Sequence, residues 1–218
     1  MRPTKEEQDR YFREKGLDPW GYEDPSVQAR LDQSLRFIQR FVPPNFDGTF
    51  VEVGAFNGMF TRKLADAFPR AAVFASDLVQ AAWETANANR PFPASVTFQW
   101  TDMMDLELPA SCSGRPSVLL MLECLYYISP ESRSEAVDKL AHSTSAKMAF
   151  VSGPLGSGDQ YLHESSLDSM FRRFWPQKLG SMRVMPIGCM NILRHGYRRL
   201  IGKPVIKKQV IFGFKKLS

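Results

Sequence analysis

From residue 49 onward, short β-branched and aromatic runs alternate with stretches whose apolar residues recur at helical spacing. No other feature of the sequence constrains the fold as strongly. TFVEV (49–53), AAVFAS (71–76), SVTFQW (95–100), SVLLML (117–122) and AKMAFVS (146–152) read as five strands. Between them, Phe60, Leu64 and Phe68 mark one helix face, and residues 78–89 a second helix. Ser129 and Pro130 open a third, with Ala136, Val137, Leu140 and Ala141 turned inward. Leu167, Met170, Phe171 and Phe174 form a further stripe. A strand near 182–187, a basic helix near 190–201 and a last strand, KKQVIFGFKK (207–216), close the chain. Strands alternating with helices predict an α/β fold: a Rossmann-like, doubly wound, mostly parallel sheet. The short connection through GKP predicts an antiparallel C-terminal edge strand.

Two helices precede this pattern. The first is polar and runs over about 4–15, followed by the loop GLDPWGYEDP. Asp24 then serves as N-cap with Pro25 in the first helical position. Val27, Leu31, Leu35, Ile38 and Val42 continue as one apolar stripe until Pro43 and Pro44 stop it. The reading is a single domain over 1–218, with 1–44 an N-terminal helical lid and 49–218 the core.

Several classes of protein are excluded. The longest apolar stretch, SVLLMLECLYYI (117–128), is too short to span a bilayer and contains Glu123. The N-terminus is charged and has no signal-peptide core. Cys112, Cys124 and Cys189 are odd in number and far apart, which argues against a disulfide framework or zinc finger. No histidine or carboxylate cluster has metal spacing, so no metal is expected. A cytoplasmic, soluble protein is the result. Charge is distributed unevenly: residues 169–218 carry 12 basic side chains and no acidic ones. Either this basic face attracts a phosphate, polyanion or acidic membrane, or it is a solvated edge without a partner.

In a doubly wound sheet, ligands bind at the carboxyl ends of the strands, near the reversal of strand order. After the first strand, Gly54 suits a tight turn and Gly58 lets the next helix start close to a ligand. The spacing is not GxGxxG, so a diphosphate loop is poorly supported and a dehydrogenase with it. Asp77 ends the second strand, where a carboxylate can accept both hydroxyls of a ribose. Asp102 follows the third and could take a proton from an adenine amino group. Each carboxylate has a loop or helix-cap alternative. Together, the features fit one ribose-and-adenine ligand without a diphosphate.

These residues resemble the class I S-adenosylmethionine-dependent methyltransferases. Glu52, Gly54 and Gly58 are similar to the first motif, Asp77 to the ribose acid and Asp102 to the adenine-side acid. The resemblance extends to Leu78, Met103 and Trp20 as further cofactor contacts. DPWGYED (18–24), GAFNGMFTRKLA (54–65) and ECLYYI (123–128) resemble the NodS-like N-methyltransferases, which act on the amino sugar of a chitooligosaccharide. That likeness covers roughly residues 10–145; Phe56 departs from the usual middle glycine, and 155–218 find no match.

The resemblance implies S-adenosylmethionine as cofactor and places the loop after the fourth strand beside the transferred methyl group. There Glu123 would accept a proton or orient the acceptor; as a structural residue it would bond nearby backbone N–H groups. Tyr126 and Tyr127 would line the acceptor pocket or serve as core aromatics. His163, after the fifth strand, is the best general-base candidate of the three histidines; His142 is remote and His195 belongs to the basic face. Trp20 and Tyr22 would fold over the cofactor or anchor the N-terminal helices. The expected partner is a small-molecule or saccharide acceptor, on which Arg194, Arg198 and Arg199 would recognise an anion. Nucleic acid is disfavoured, because neither [DNS]PP[YFW] after the fourth strand nor a Pro-Cys pair is present. A nucleic-acid methyltransferase and a catalytically silent cofactor-binding or scaffold module are the rival readings. The oligomeric state stays open.

Overall fold

The computed structural model describes residues 4–16, 18, 21, 22, 24–112, 114–156, 158, 161–184 and 206–217. Seven strands form one sheet: β1 (Thr49–Val53), β2 (Ala72–Asp77), β3 (Val96–Trp100), β4 (Ser117–Leu122), β5 (Met148–Gly156), β6 (Gln177–Arg183) and β7 (Ile206–Lys215). Their order is β3-β2-β1-β4-β5-β7-β6. The five strands β1 to β5 pair in parallel, and β7 runs antiparallel to both β5 and β6. The final strand is therefore antiparallel, as expected, but lies one place inside the edge rather than at it. Strand order reverses between β1 and β4, which creates the crevice in which such sheets bind ligands.

Alternation along each strand divides the core. Val51, Val53, Leu119 and Met121 face one side, where they meet Val137 and Leu140 of α5 (Arg133–Thr144) and Leu167 and Phe171 of α6 (Glu164–Arg172). Phe50, Val73, Val118 and Leu120 face the other, against α2 (Pro25–Gln39) and α3 (Met59–Ala67). Leu31, Phe37 and Ile38 of α2 and Phe60 and Leu64 of α3 supply the covering layer. Both faces of the central strands are thus covered, and the near-continuous apolar runs of β1 and β4 follow from that.

Helix ends follow their sequence signals. In α1 (Lys5–Lys15), Thr4 and Glu7 form a reciprocal capping box. Asp24 caps α2 through the N–H of Ser26, with Pro25 behind it. The helix stops at Gln39, before the two prolines. The strand expected near 182–187 instead occupies Gln177–Arg183. It is an exposed edge containing Gly180, where the ladder to β7 shifts register, so its alternation is broken and it lacks the apolar run of a buried strand. The expected helix at 190–201 lies outside the described residues. No helix among the described residues is long and apolar enough to cross a membrane.

Candidate functional site

A cavity of about 330 Å³ opens at the carboxyl ends of β1, β2 and β4, at the reversal of strand order. Its floor comes from the sheet: Val53 at the end of β1 and Gly54 after it, Ser76 and Asp77 of β2, Thr101 after β3, Leu122 at the end of β4 and Glu123 after it. Its walls come from elsewhere, with Gln8 and Phe12 from α1, Tyr22 from the following loop, and Val27 and Arg30 from α2.

Gly54 adopts φ +78°, and a Cβ there would lie 2.6 Å from the Cβ of Cys124 in the loop after β4. Only glycine lets the two loops approach so closely while leaving backbone on the cavity floor. Gly58 has a different duty from the one expected. Its φ is +69°, and a Cβ would meet the rings of Phe92 at 2.4 Å and Trp83 at 2.7 Å. It lets α3 start against the stacked Trp83–Phe92 pair of the neighbouring unit and is not on the cavity wall.

Asp77 is held from two sides. Oδ2 accepts the N–H of Phe56 and Oδ1 that of Val79, each at 2.8 Å. Burial raises its pKa to about 6, against the lowering effect of the N–H donors of Phe56, Val79 and Leu78. Asp77 lines the cavity, and its two oxygens have acceptor capacity beyond these N–H bonds. Leu78 lines the cavity beside it, and its carbonyl accepts the indole N–H of Trp100 at 2.9 Å. Asp102 caps a short 3-10 turn, its Oδ1 accepting the N–H of Met104 at 2.8 Å; its neighbours Thr101 and Met103 are the residues on the cavity wall. Glu52 sits beneath the floor, 3% exposed, and accepts the hydroxyl of Thr61 at 2.6 Å. Burial raises its pKa to about 8, opposed by the Thr61 bond and reinforced by the charge of Asp77.

Glu123 is the most heavily engaged group in the cavity. It takes the left-handed conformation at φ +59°, a strained geometry for a side-chain-bearing residue. Oε1 accepts the Ser152 hydroxyl at 2.7 Å; Oε2 accepts from Arg30 at 3.3 Å and from the Gln209 amide. Burial pushes its pKa up, and Arg30, Ser152 and Gln209 pull it back down. Tyr126 and Tyr127 lie beside it, their hydroxyls 3.4 Å apart. Burial, with the negative charge of Glu123, also raises the pKa of the Tyr126 phenol. Buried Arg133 holds this loop in shape by donating to the carbonyls of Ile128, Tyr161 and Tyr126.

Not every expected residue reaches the cavity. His163 is exposed at the start of α6 and borders a separate small pocket with Pro130, Arg133 and Met170. Trp20, Arg194, His195, Arg198 and Arg199 lie outside the described residues. In the described part of the basic segment, Arg173 pairs with Asp138 at 2.6 Å and Lys178 with Asp168 at 2.8 Å. Those cations are locally neutralised. Among the described residues, no three metal-binding side chains come together.

The contribution of α1 was not legible in the sequence. Asp9, 8% exposed, accepts the N–H of Ala81 at 2.7 Å and so caps α4 (Gln80–Asn89) from 72 residues away. Phe12 packs edge-on against Phe56 at 5.7 Å, and Tyr22 stacks on that ring at 5.4 Å. Lys5 lies 4.5 Å above the Trp100 ring. The aromatic pair Tyr11 and Phe12 in an otherwise polar helix was the available signal. Asp9→Ala is expected to cost about 1 kcal/mol, as a lost N-cap does. It should also expose α1 to limited proteolysis before the rest of the chain unfolds; unchanged cleavage kinetics would contradict the anchoring role.

No family model and no curated protein matches the sequence. Solved structures do match. The N-methyltransferase NodS from Bradyrhizobium japonicum WM9, in complex with S-adenosylhomocysteine, superposes with TM-score 0.68 at 15% identity, covering 94% of this chain and 96% of that one. The 1,6-didemethyltoxoflavin-N1-methyltransferase of Burkholderia thailandensis gives 0.65 at 16% identity, over 97% and 88% of the two chains. The [4+2]-cyclase SpnF gives 0.69 at 12% identity, over 98% and 96%. At these identities the likeness is one of fold: the chain has the Rossmann-like architecture that these structures share.

Proposed function

We propose that the protein transfers a methyl group from S-adenosylmethionine to a nitrogen or oxygen of a small-molecule or saccharide acceptor in the cytoplasm. The observation that carries this reading is Asp77, a carboxylate at the end of β2, facing a cavity at the strand-order reversal beside the close-packed turn at Gly54. The same pair suits a nucleoside without a diphosphate. Gly54 presents bare backbone, and Asp77 has acceptor capacity left for two ribose hydroxyls. Leu78 and Met103 supply apolar surface for a base.

When bound, the cofactor supplies a methyl group activated on a sulfonium. Phe12, Tyr22 and Phe56 exclude water from the cavity, and Glu123 accepts a hydrogen bond from the acceptor's N–H or O–H. Tyr126 lines the acceptor's side. A nitrogen acceptor has the support of NodS and the toxoflavin enzyme, both N-methyltransferases. SpnF is a [4+2]-cyclase on the same fold, which keeps open a second reading: a protein that binds the cofactor without methylating anything.

Calorimetry with S-adenosylhomocysteine tests the first half of the proposal. An acceptor screen across amino sugars, anionic glycans and phosphorylated metabolites tests the second. Binding without turnover on any acceptor would favour the silent module; no binding would remove both readings. Because α1 and Tyr22 wall the cavity, saturating S-adenosylhomocysteine should also slow proteolysis within residues 16–24. An unchanged cleavage rate would count against a lid.

A further inference from the structure

We propose that Ser152 and Gln209 are positioning residues for Glu123, holding its carboxylate so that Oε1 is the atom left to orient the methyl acceptor. The assignment rests on the role given to Glu123 above. Glu123 adopts φ +59°. Glycine takes that conformation without strain, whereas a residue with a Cβ keeps it only where its surroundings hold it there. What a glutamate adds at this position is its carboxylate.

The holding groups come from the two strands beyond β4. The N–H of Glu123 donates to the Ser152 carbonyl at 3.1 Å, and the Ser152 hydroxyl donates back to Oε1 at 2.7 Å. One residue of β5 thus fixes both ends of the glutamate. Gln209 of β7 donates to Oε2. Ser152 pairs with Ile211 and Pro154 with Gln209, so Ser152 and Gln209 are diagonal neighbours on one face of the sheet. Phe150 and Ile211 belong to that face, in the apolar layer that α2 covers. The two polar side chains are buried there, 1% and 6% exposed. Burying a hydroxyl and an amide among apolar groups is costly unless each is hydrogen-bonded, and the Glu123 carboxylate accepts from both.

Counting acceptor sites identifies the atom left over. A carboxylate offers about four. Arg30 and Gln209 take two on Oε2, and Ser152 takes one on Oε1. The remaining site is on Oε1. The Glu123 side chain is 13% exposed and lines the cavity, which leaves it open to an N–H or O–H of an acceptor.

Carbon-13 NMR of protein labelled at its glutamate carboxyls reads this group directly and needs no acceptor. The Glu123 signal is identified by its loss in Glu123→Gln. The charged and titratable groups coupled to it are Arg30 of α2, Tyr22 of the preceding loop, and Cys124 and Tyr126 of its own loop; the variants alter none of them. Burial raises the pKa of this carboxyl and its donors lower it. Ser152→Ala and Gln209→Met each delete one donor, so each should move the titration midpoint to higher pH, and the double variant should move it further. Ser152→Thr keeps the hydroxyl and should titrate as wild type does. S-adenosylhomocysteine affinity, measured by calorimetry, should stay within about twofold throughout. On an acceptor found by the screen above, Ser152→Ala and Gln209→Met should lower kcat roughly ten- to hundredfold and change KM much less.

The proposal is overturned if neither single variant moves the midpoint, or if kcat is unchanged. It is also overturned if cofactor affinity and melting temperature fall along with the midpoint shift and Ser152→Thr restores nothing, since the two residues would then only shape the cavity. A wild type that binds no S-adenosylhomocysteine overturns the cofactor reading instead, a failure that calorimetry on wild type reads separately from the variants' midpoints.

Discussion

Asp77→Ala is expected to weaken S-adenosylhomocysteine binding by about a hundredfold or more. Two charge-assisted hydrogen bonds to a ribose are lost, each contributing about 1.5–3 kcal/mol, and 1.4 kcal/mol is tenfold in affinity. The same substitution frees the N–H groups of Phe56 and Val79, so the turn that forms the cavity floor loosens too. Gly54→Val should be at least as damaging, because a side chain at φ +78° is strained and its Cβ would overlap Cys124. Proton linkage supplies an independent check. Asp77 has its pKa raised to about 6 in the free protein, and donation from two hydroxyls would lower it in the complex. Binding then releases a proton at pH below about 6, and affinity should fall by up to about tenfold per pH unit as acidity increases. Asp77→Asn should bind weakly with a flat profile. Micromolar-range binding that survives both Asp77→Ala and Gly54→Val would remove the cofactor site from this position.

What could be read from the sequence, and what could not, divides along the distance between partners. β1 and β4 have the bounds the sequence predicts, Thr49–Val53 and Ser117–Leu122, because central strands covered on both faces are mostly apolar. That Gly54, Asp77 and Glu123 line the cavity was legible for a related reason: the crevice of a doubly wound sheet lies at its strand ends, which local patterns locate. Asp9 and Arg30 were not, since the groups they bond lie 72 and 93 residues away in sequence. A polar residue on a helix gives no hint of such a partner. His163 fails for a local reason. β5 continues to Gly156 and α6 begins at Glu164, so the apparent long loop is short, and the histidine is placed beside α6 rather than over the cavity. β6 was displaced in the reading because an edge strand needs little apolar surface and tolerates Gly180.

The second large effect concerns Glu52 and stability. This carboxyl is 3% exposed beneath the cavity floor, with Thr61 as its hydrogen-bond donor and no cation among its described partners. Burial raises its pKa to about 8, from 4.5 in an unstructured chain. The sign follows from proton counting. The folded state retains the proton over a range in which the unfolded chain releases it, so the group's stabilising contribution is complete below pH about 4.5 and declines as pH rises through 8. A shift of this size corresponds to a few kcal/mol, or roughly 5–15 °C in melting temperature for a chain of this length. Asp77 and Glu123 shift in the same direction, and Asp77 completes its part by about pH 6. The interval between pH 6 and 8 therefore isolates Glu52 from Asp77. Wild type should lose melting temperature across it, and Glu52→Gln, which keeps an acceptor for Thr61 but cannot ionise, should lose much less. Melting curves at pH 5, 6, 7, 8 and 9 decide the matter. Parallel declines in the two proteins would mean that Glu52 is already ionised at neutral pH, and the buried acid beneath the cavity would then require a cation that the geometry around Thr61 does not provide.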